Sequence, residues 1–144
     1  MMRGIGDELG PQLSLPGMFA LLVNPGVPAP TRRVFEALGL APGSRLISDM
    51  PVPKSSCLDE PPGLTLGALV LGRNDLEAGA LRVAPAIAEA LESLSRLAEV
   101  KVVRMSGSGA TCFALFDNRR SASAGRARIA AGAPDWWVKA TVLR

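Results

Sequence analysis

The chain has 144 residues, 48% of them apolar, 20% charged and only 4% aromatic, and carries a formal net charge of +3. That length is one ordinary domain, able to bury roughly 70% of its unfolded surface in a core that Leu, Val and Ala must fill. With no His and no Tyr, it offers no histidine base, no His metal ligand and no tyrosine acid.

Cys57 and Cys112 have no metal-ligand spacing and read as reduced thiols, Cys112 on a buried strand face. The N-terminus, with Arg3, Asp7 and Glu8, does not read as a signal peptide, and no run approaches the roughly 18 apolar residues of a membrane helix.

In chain order, Phe19–Val23 is a short apolar run closed by Asn24-Pro25-Gly26, which predicts a buried strand ending in a turn. Pro25, Pro28 and Pro30 stiffen the exit, and Thr31 is expected to cap a helix carrying Val34, Phe35 and Leu38 on one stripe and ending at Gly39. Residues 39–63, with five prolines, read as a loop, and 64–71 as a short apolar helix. Asn74 with Glu77 three residues on resembles a capping box, opening a helix that Pro85 interrupts. The following segment places Ile87, Leu91, Leu94 and Ala98 at helical spacing, with Glu89, Glu92 and Arg96 outside.

Val100–Met105 and Thr111–Phe116 read as hairpin strands around the loop Ser106-Gly107-Ser108-Gly109-Ala110. Residues 121–131 form an Ala/Arg helix, and Trp136–Leu143 a last alternating strand. This order predicts an α+β fold, a ferredoxin-like βαββαβ sandwich with extra helices, as a single domain over residues 1–144.

Charge is uneven: residues 101–144 hold eight Lys/Arg against two Asp/Glu, whereas residues 1–100 hold eight against eleven. Arg119, Arg120, Arg126 and Arg128 are expected on the exposed side of a helix. No aromatic residues interleave with them, so a solvated basic face is expected rather than a nucleic-acid site.

The small-residue loop fails both common nucleotide fingerprints, having neither a Lys after its last Gly nor G-x-G-x-x-G spacing. Its glycines permit positive φ and close approach of main-chain N–H groups to an anion, yet a tight hairpin accounts for the same residues. Phe35 and Thr31 lie one helical turn apart and can face one space, while an aromatic at such spacing also suits a core. No paired carboxylates, no Ser-His-Asp and no Cys-His arrangement can be assembled, so no catalytic residue and no metal site is expected.

Three segments in one order, Val23-Asn24-Pro25-Gly26-Val27-Pro28 with Thr31 and Phe35, Gly72-Arg73-Asn74-Asp75-Leu76-Glu77, and Met105 to Thr111, resemble the C-terminal half of 4-diphosphocytidyl-2-C-methyl-D-erythritol kinases of the GHMP kinase superfamily. The resemblance runs from about Arg3 to the end. It implies that Thr31 and Phe35 belong to a substrate wall, the ring stacking on cytosine, and that Ser106, Gly107, Ser108, Gly109 and Ala110 form a phosphate-adjacent clamp.

The resemblance further implies a bacterial cytoplasmic enzyme of isoprenoid synthesis that uses ATP with Mg. Its nucleotide loop, catalytic Asp and Lys lie in an N-terminal kinase domain outside these 144 residues. The expected partners are therefore that domain and the cytidine-diphosphate-linked methylerythritol substrate, with no cofactor held tightly by this chain alone. Asn74 and Asp75 read as structural. Arg32, Arg33 and Gly79 depart from the family pattern, Gly79 implying a looser helix. The alternative reading is a stand-alone small-molecule-binding or protein-interaction module of the same fold without catalysis.

Overall fold

The computed structural model describes residues 2–3, 8–9, 17–40, 70 and 72–143. Two strands of two residues, β1 (Met2–Arg3) and β2 (Glu8–Leu9), pair antiparallel in a small separate sheet. The main sheet is built from β3 (Met18–Asn24), β4 (Val102–Met105), β5 (Cys112–Phe116) and β6 (Trp137–Leu143), in the order β4-β5-β3-β6 with every neighbour antiparallel. This is the βαββαβ arrangement expected from the sequence. Val23 pairs with Cys112 and Asn24 with Trp137, so the Asn24 turn emerges at the end of the sheet where the β4–β5 hairpin loop also sits.

Alternation along the strands sorts the side chains into two faces. Leu21 and Val23 of β3, Met105 of β4 and Cys112, Ala114 and Phe116 of β5 share one buried cluster with residues of the helices α3 (Ala86–Ser95) and α4 (Arg119–Gly132). Ile87, Ala90 and Leu94 supply the buried stripe of α3; Ala122 and Ile129 supply that of α4. Each large side chain hidden in this way contributes about 1.5–3 kcal/mol. Met18, Ala20, Val102 and Leu115 form a second buried cluster on the opposite face.

The helices differ from expectation in their ends. Pro85 does separate α2 (Glu77–Val83) from α3, serving as the N-cap of the latter. The stripe beyond α3 is carried by buried Leu97 rather than by exposed Ala98, because the helix stops at Ser95. In α4 the unread cap is Asn118, whose Oδ1 accepts from the Ser121 N–H at 2.8 Å. Glu99 adopts φ 60° and accepts a hydrogen bond from the Ser121 hydroxyl, setting a carboxylate against the positive end of α4.

Bonds from Ser121 and Asn118 hold the Glu99 carboxyl below its ordinary range. Its contribution to stability is therefore present at neutral pH and fades as pH falls through the carboxylate range.

The expected cap at Thr31 is absent: α1 (Thr31–Ala37) has Pro30 as N-cap with no side-chain bond, and Thr31 is the first helical residue. The expected stripe is also corrected. Val34 is fully buried and Leu38 half-buried, while Phe35 is 39% exposed.

Gly79 does not loosen α2; it is buried where α1 and α2 meet, and a Cβ there would lie 2.6 Å from the Val34 carbonyl oxygen. Arg82 of α2 reinforces the contact by donating to the Ala37 carbonyl at 2.7 Å. The expected loop at 39–63, beyond residue 40, and the helix at 64–71, apart from Val70 in helical conformation, lie outside the described residues.

Candidate functional site

One end of the sheet gathers the motifs that the sequence separates. At the end of β3, the Asn24 side chain does two jobs: Oδ1 accepts from the Gly26 N–H at 2.8 Å, closing an Asx turn, and Nδ2 donates to Thr111 Oγ1 at 3.0 Å. Gly26, at φ 74°, turns the chain toward α1. From the first position of α1, Thr31 Oγ1 meets Ser108 Oγ at 2.8 Å, a hydrogen bond across 77 residues of sequence. Thr31 thus gives its hydroxyl to the small-residue loop rather than to its own helix.

The loop is held from within and from below. Ser106 N–H donates to the Thr111 carbonyl at 2.8 Å and Gly109 N–H to the Ser106 carbonyl at 3.0 Å. Gly107 and Gly109 take φ of 56° and 88°, and the Gly109–Ala110 peptide is cis. A Cβ on Gly109 would meet Ile87 Cδ1 at 2.9 Å and Met105 Sδ at 3.0 Å, so the backbone rests directly on the core; around Gly107 there is open space. Among the described residues, no acceptor bonds the N–H groups of Gly107 and Ser108. These two donors remain available to an outside oxygen.

Asn74 is the residue whose role the sequence reading assigned wrongly. No capping box forms: the N-cap of α2 is Leu76, without a side-chain bond. Asn74 Oδ1 instead accepts from the Leu76 N–H at 3.1 Å, and its Nδ2 donates to the carbonyls of Met105 at 3.0 Å and Gly107 at 2.8 Å. A capping box and this long-range clamp use the same residue type, and only the position of the hairpin distinguishes them. Replacing Asn74 by Ala should cost about 1–2 kcal/mol, since both carbonyls lose their partner together. Urea unfolding, with amide exchange at Gly107 and Gly109, measures the loss and locates it in the loop.

The surface around this clamp is open. Thr31, Phe35, Ser106 and Gly107 are exposed, Ser108 and Gly109 half-buried, and Ala110 buried. Trp137, paired with Asn24 at the same end of the sheet, is 51% exposed. Phe35 stands one helical turn beyond Thr31, presenting a ring to solvent rather than to the core.

Cys112, at the base of the loop, is fully buried; burial and then the Glu77 carboxylate push its thiol up to about 12, which removes it as a nucleophile at neutral pH. Among the described residues no group of three His, Cys, Asp or Glu side chains is placed to hold a metal ion. The arrangement can present hydroxyls, two main-chain donors and an aromatic ring.

The sequence profile of the family described as GHMP kinases C terminal matches residues 63–135, half of the chain and inclusive of the whole small-residue loop. The chain belongs to the GHMP kinase C-terminal family. Within that family, it is 49% identical over 144 residues to a 4-diphosphocytidyl-2-C-methyl-D-erythritol kinase of Methylorubrum extorquens, covering 99% of this chain and 48% of that protein. The kinase of the same name from Xanthobacter autotrophicus is 46% identical, with 100% and 50% covered.

A crystal structure of 4-(cytidine 5'-diphospho)-2C-methyl-D-erythritol kinase superimposes with a TM-score of 0.60 at 27% identity, covering 95% of this chain and 47% of that one. This GHMP kinase C-terminal chain therefore spans about half the length of the curated relatives it matches.

Proposed function

We propose that the chain is the substrate-side part of an ATP-dependent 4-diphosphocytidyl-2-C-methyl-D-erythritol kinase, which moves the γ-phosphoryl group of ATP to the 2-hydroxyl of the cytidine-diphosphate-linked alcohol in isoprenoid synthesis. The observation that carries this reading is the Thr31–Ser108 hydrogen bond, which joins the segment resembling a substrate wall to the segment resembling a phosphate clamp. An exposed Phe35 beside that bond supports it further, because a ring that served only the core would not face solvent. The proposed location is the bacterial cytoplasm; among the described residues no helix is long and apolar enough to cross a membrane.

In this role Phe35 offers a face for the cytosine ring, Thr31 a hydroxyl beside it, and the N–H groups of Gly107 and Ser108 two donors toward phosphate oxygens. The loop Ser106–Ala110 fits a phosphate because its small side chains leave these donors uncovered. ATP supplies the phosphoryl group and its magnesium the positive charge that offsets the phosphates. In this reading the chain contributes position and hydrogen bonds. An N-terminal kinase domain is the partner that would supply the rest.

Two outcomes test the reading. The 144 residues, purified alone, are expected to show no turnover of ATP with the cytidine-linked substrate, since the resemblance assigns the nucleotide loop, catalytic Asp and Lys to the N-terminal kinase domain. When the enzyme is completed by the N-terminal half of a relative, Phe35→Ala should weaken substrate binding by roughly 1–3 kcal/mol, read as a raised KM with kcat little changed. Because Phe35 is exposed, its loss should shift stability by less than about 1 kcal/mol. A large fall in stability with an unchanged KM would return Phe35 to a packing role and sink the pocket assignment.

A further inference from the structure

The face of α4 turned toward β6 serves neither the small-residue loop nor the substrate wall. A groove of about 800 Å³ runs between this helix and the edge strand β6. Its floor is apolar, made by Phe19, Ala122, Val138, Ala140 and Val142, and its rim is cationic, with Arg119 and Arg126 on α4; Lys139, between Val138 and Ala140 on β6, projects from the other face of the sheet. Arg119 and Arg126 are two helical turns apart and so stand on one face, about 10 Å from each other along the axis. No carboxylate lines the groove, and among the described residues none of these three cations has an ion-pair partner.

The strand beside this groove is unfinished. β6 pairs with β3 on one side over all seven of its residues, and among the described residues no strand pairs with its other side. An edge of that length carries a row of main-chain donors and acceptors open to another extended segment. A groove between an edge strand and a helix is the geometry in which peptides add as an extra strand, main-chain bonds giving affinity and the flanking side chains giving selection.

We infer that the β6–α4 groove is a docking site for an extended acidic peptide segment, which adds antiparallel or parallel to β6 and sets its carboxylates against Arg119 and Arg126. Charge decides the occupant. A second copy of this chain pairing β6 to β6 would bring like cations face to face, which opposes association. Carboxylates on alternate residues of an extended segment lie about 6–7 Å apart, a spacing the long arginine side chains can span. The residues between the acidic ones then point to the opposite face of the sheet, away from the groove, where an uncharged β-branched residue such as Val favours the extended conformation.

The probe is a fluorescein-labelled peptide of about eight residues alternating Glu and Val, titrated with the 144-residue chain and read by fluorescence anisotropy. Saturable binding is expected, weakened at least tenfold by the double substitution Arg119→Glu with Arg126→Glu. Arg128→Glu, which changes charge on the same helix outside this groove, should leave it within a factor of about three. All three arginines are exposed, so circular dichroism and the urea midpoint should stay constant across the variants.

Strand addition also predicts that N-methylation of either the Val or the Glu residues of the probe abolishes binding while methylation of the other set leaves it, because only alternate amides of an added strand face β6. No saturable binding, equal weakening by Arg128→Glu, indifference to both methylated probes, or tighter binding of a single-stranded oligonucleotide of similar charge would each overturn the proposal.

Discussion

Gly109→Val should destabilise the chain by about 3 kcal/mol or more and displace the small-residue loop, whereas Gly107→Val should cost only about 1–2 kcal/mol. Both glycines lie at positive φ, which a β-branched residue adopts only under strain. The difference comes from what lies behind them. A side chain at position 109 would overlap Ile87 and Met105, one on buried α3 and one on β4, neither free to retreat from a packed core. Position 107 faces open space. Paired urea unfolding curves measure both; equal losses would mean that the loop does not rest on α3 as described. In the completed enzyme, Gly107→Val should still lower kcat, since its Cβ and constrained φ move the N–H groups offered to phosphate.

Gly79→Ala carries the second large effect, and its sign is opposite to what helix propensity alone gives. In an unobstructed helix interior, Ala is favoured over Gly by about 1 kcal/mol. Here the added methyl would sit 2.6 Å from the Val34 carbonyl and 2.8 Å from Leu38 Cγ. Backbone cannot rotate aside as a flexible side chain can, so α1 and α2 must separate, at a net cost of about 1–3 kcal/mol. Because α1 carries Thr31, the separation should also lengthen the Thr31–Ser108 bond. A thermal melt of Gly79→Ala that rises instead of falling would show that the two helices part without penalty.

The elements that the sequence revealed are those whose signal is local. Short apolar runs bounded by turn residues marked β3 and the β4–β5 hairpin, Pro85 marked the break between α2 and α3, and helical spacing marked Ile87 and Leu94 as core. Their order was sufficient for the sheet topology, because a βαββαβ chain with a central first strand has few ways to close. The site was legible as three segments, and the structure brings Thr31 against Ser108 and Asn74 against Gly107.

What stayed hidden depends on partners distant in sequence. Val34 and Phe35 are adjacent apolar residues about 100° apart around one helix, and the helix axis alone does not say which faces inward. Gly79 read as a weak point because a helix-breaking residue and a close-packing residue are the same residue until its neighbour is placed. Asn74 presented a local use, the cap, but its Oδ1 serves the Leu76 N–H while its Nδ2 reaches the distant hairpin carbonyls. The edge position of β6 was equally invisible, since an alternating strand reads alike at the centre and at the rim.

The most direct test joins this chain to the N-terminal half of the Methylorubrum extorquens kinase in place of that protein's own C-terminal half and measures ATP-dependent phosphorylation of 4-diphosphocytidyl-2-C-methyl-D-erythritol. The account predicts turnover by the joined protein, none by either half alone, and a KM that rises roughly tenfold or more with Phe35→Ala. A joined protein that folds, binds ATP and yet neither binds nor phosphorylates the cytidine-linked substrate would contradict it.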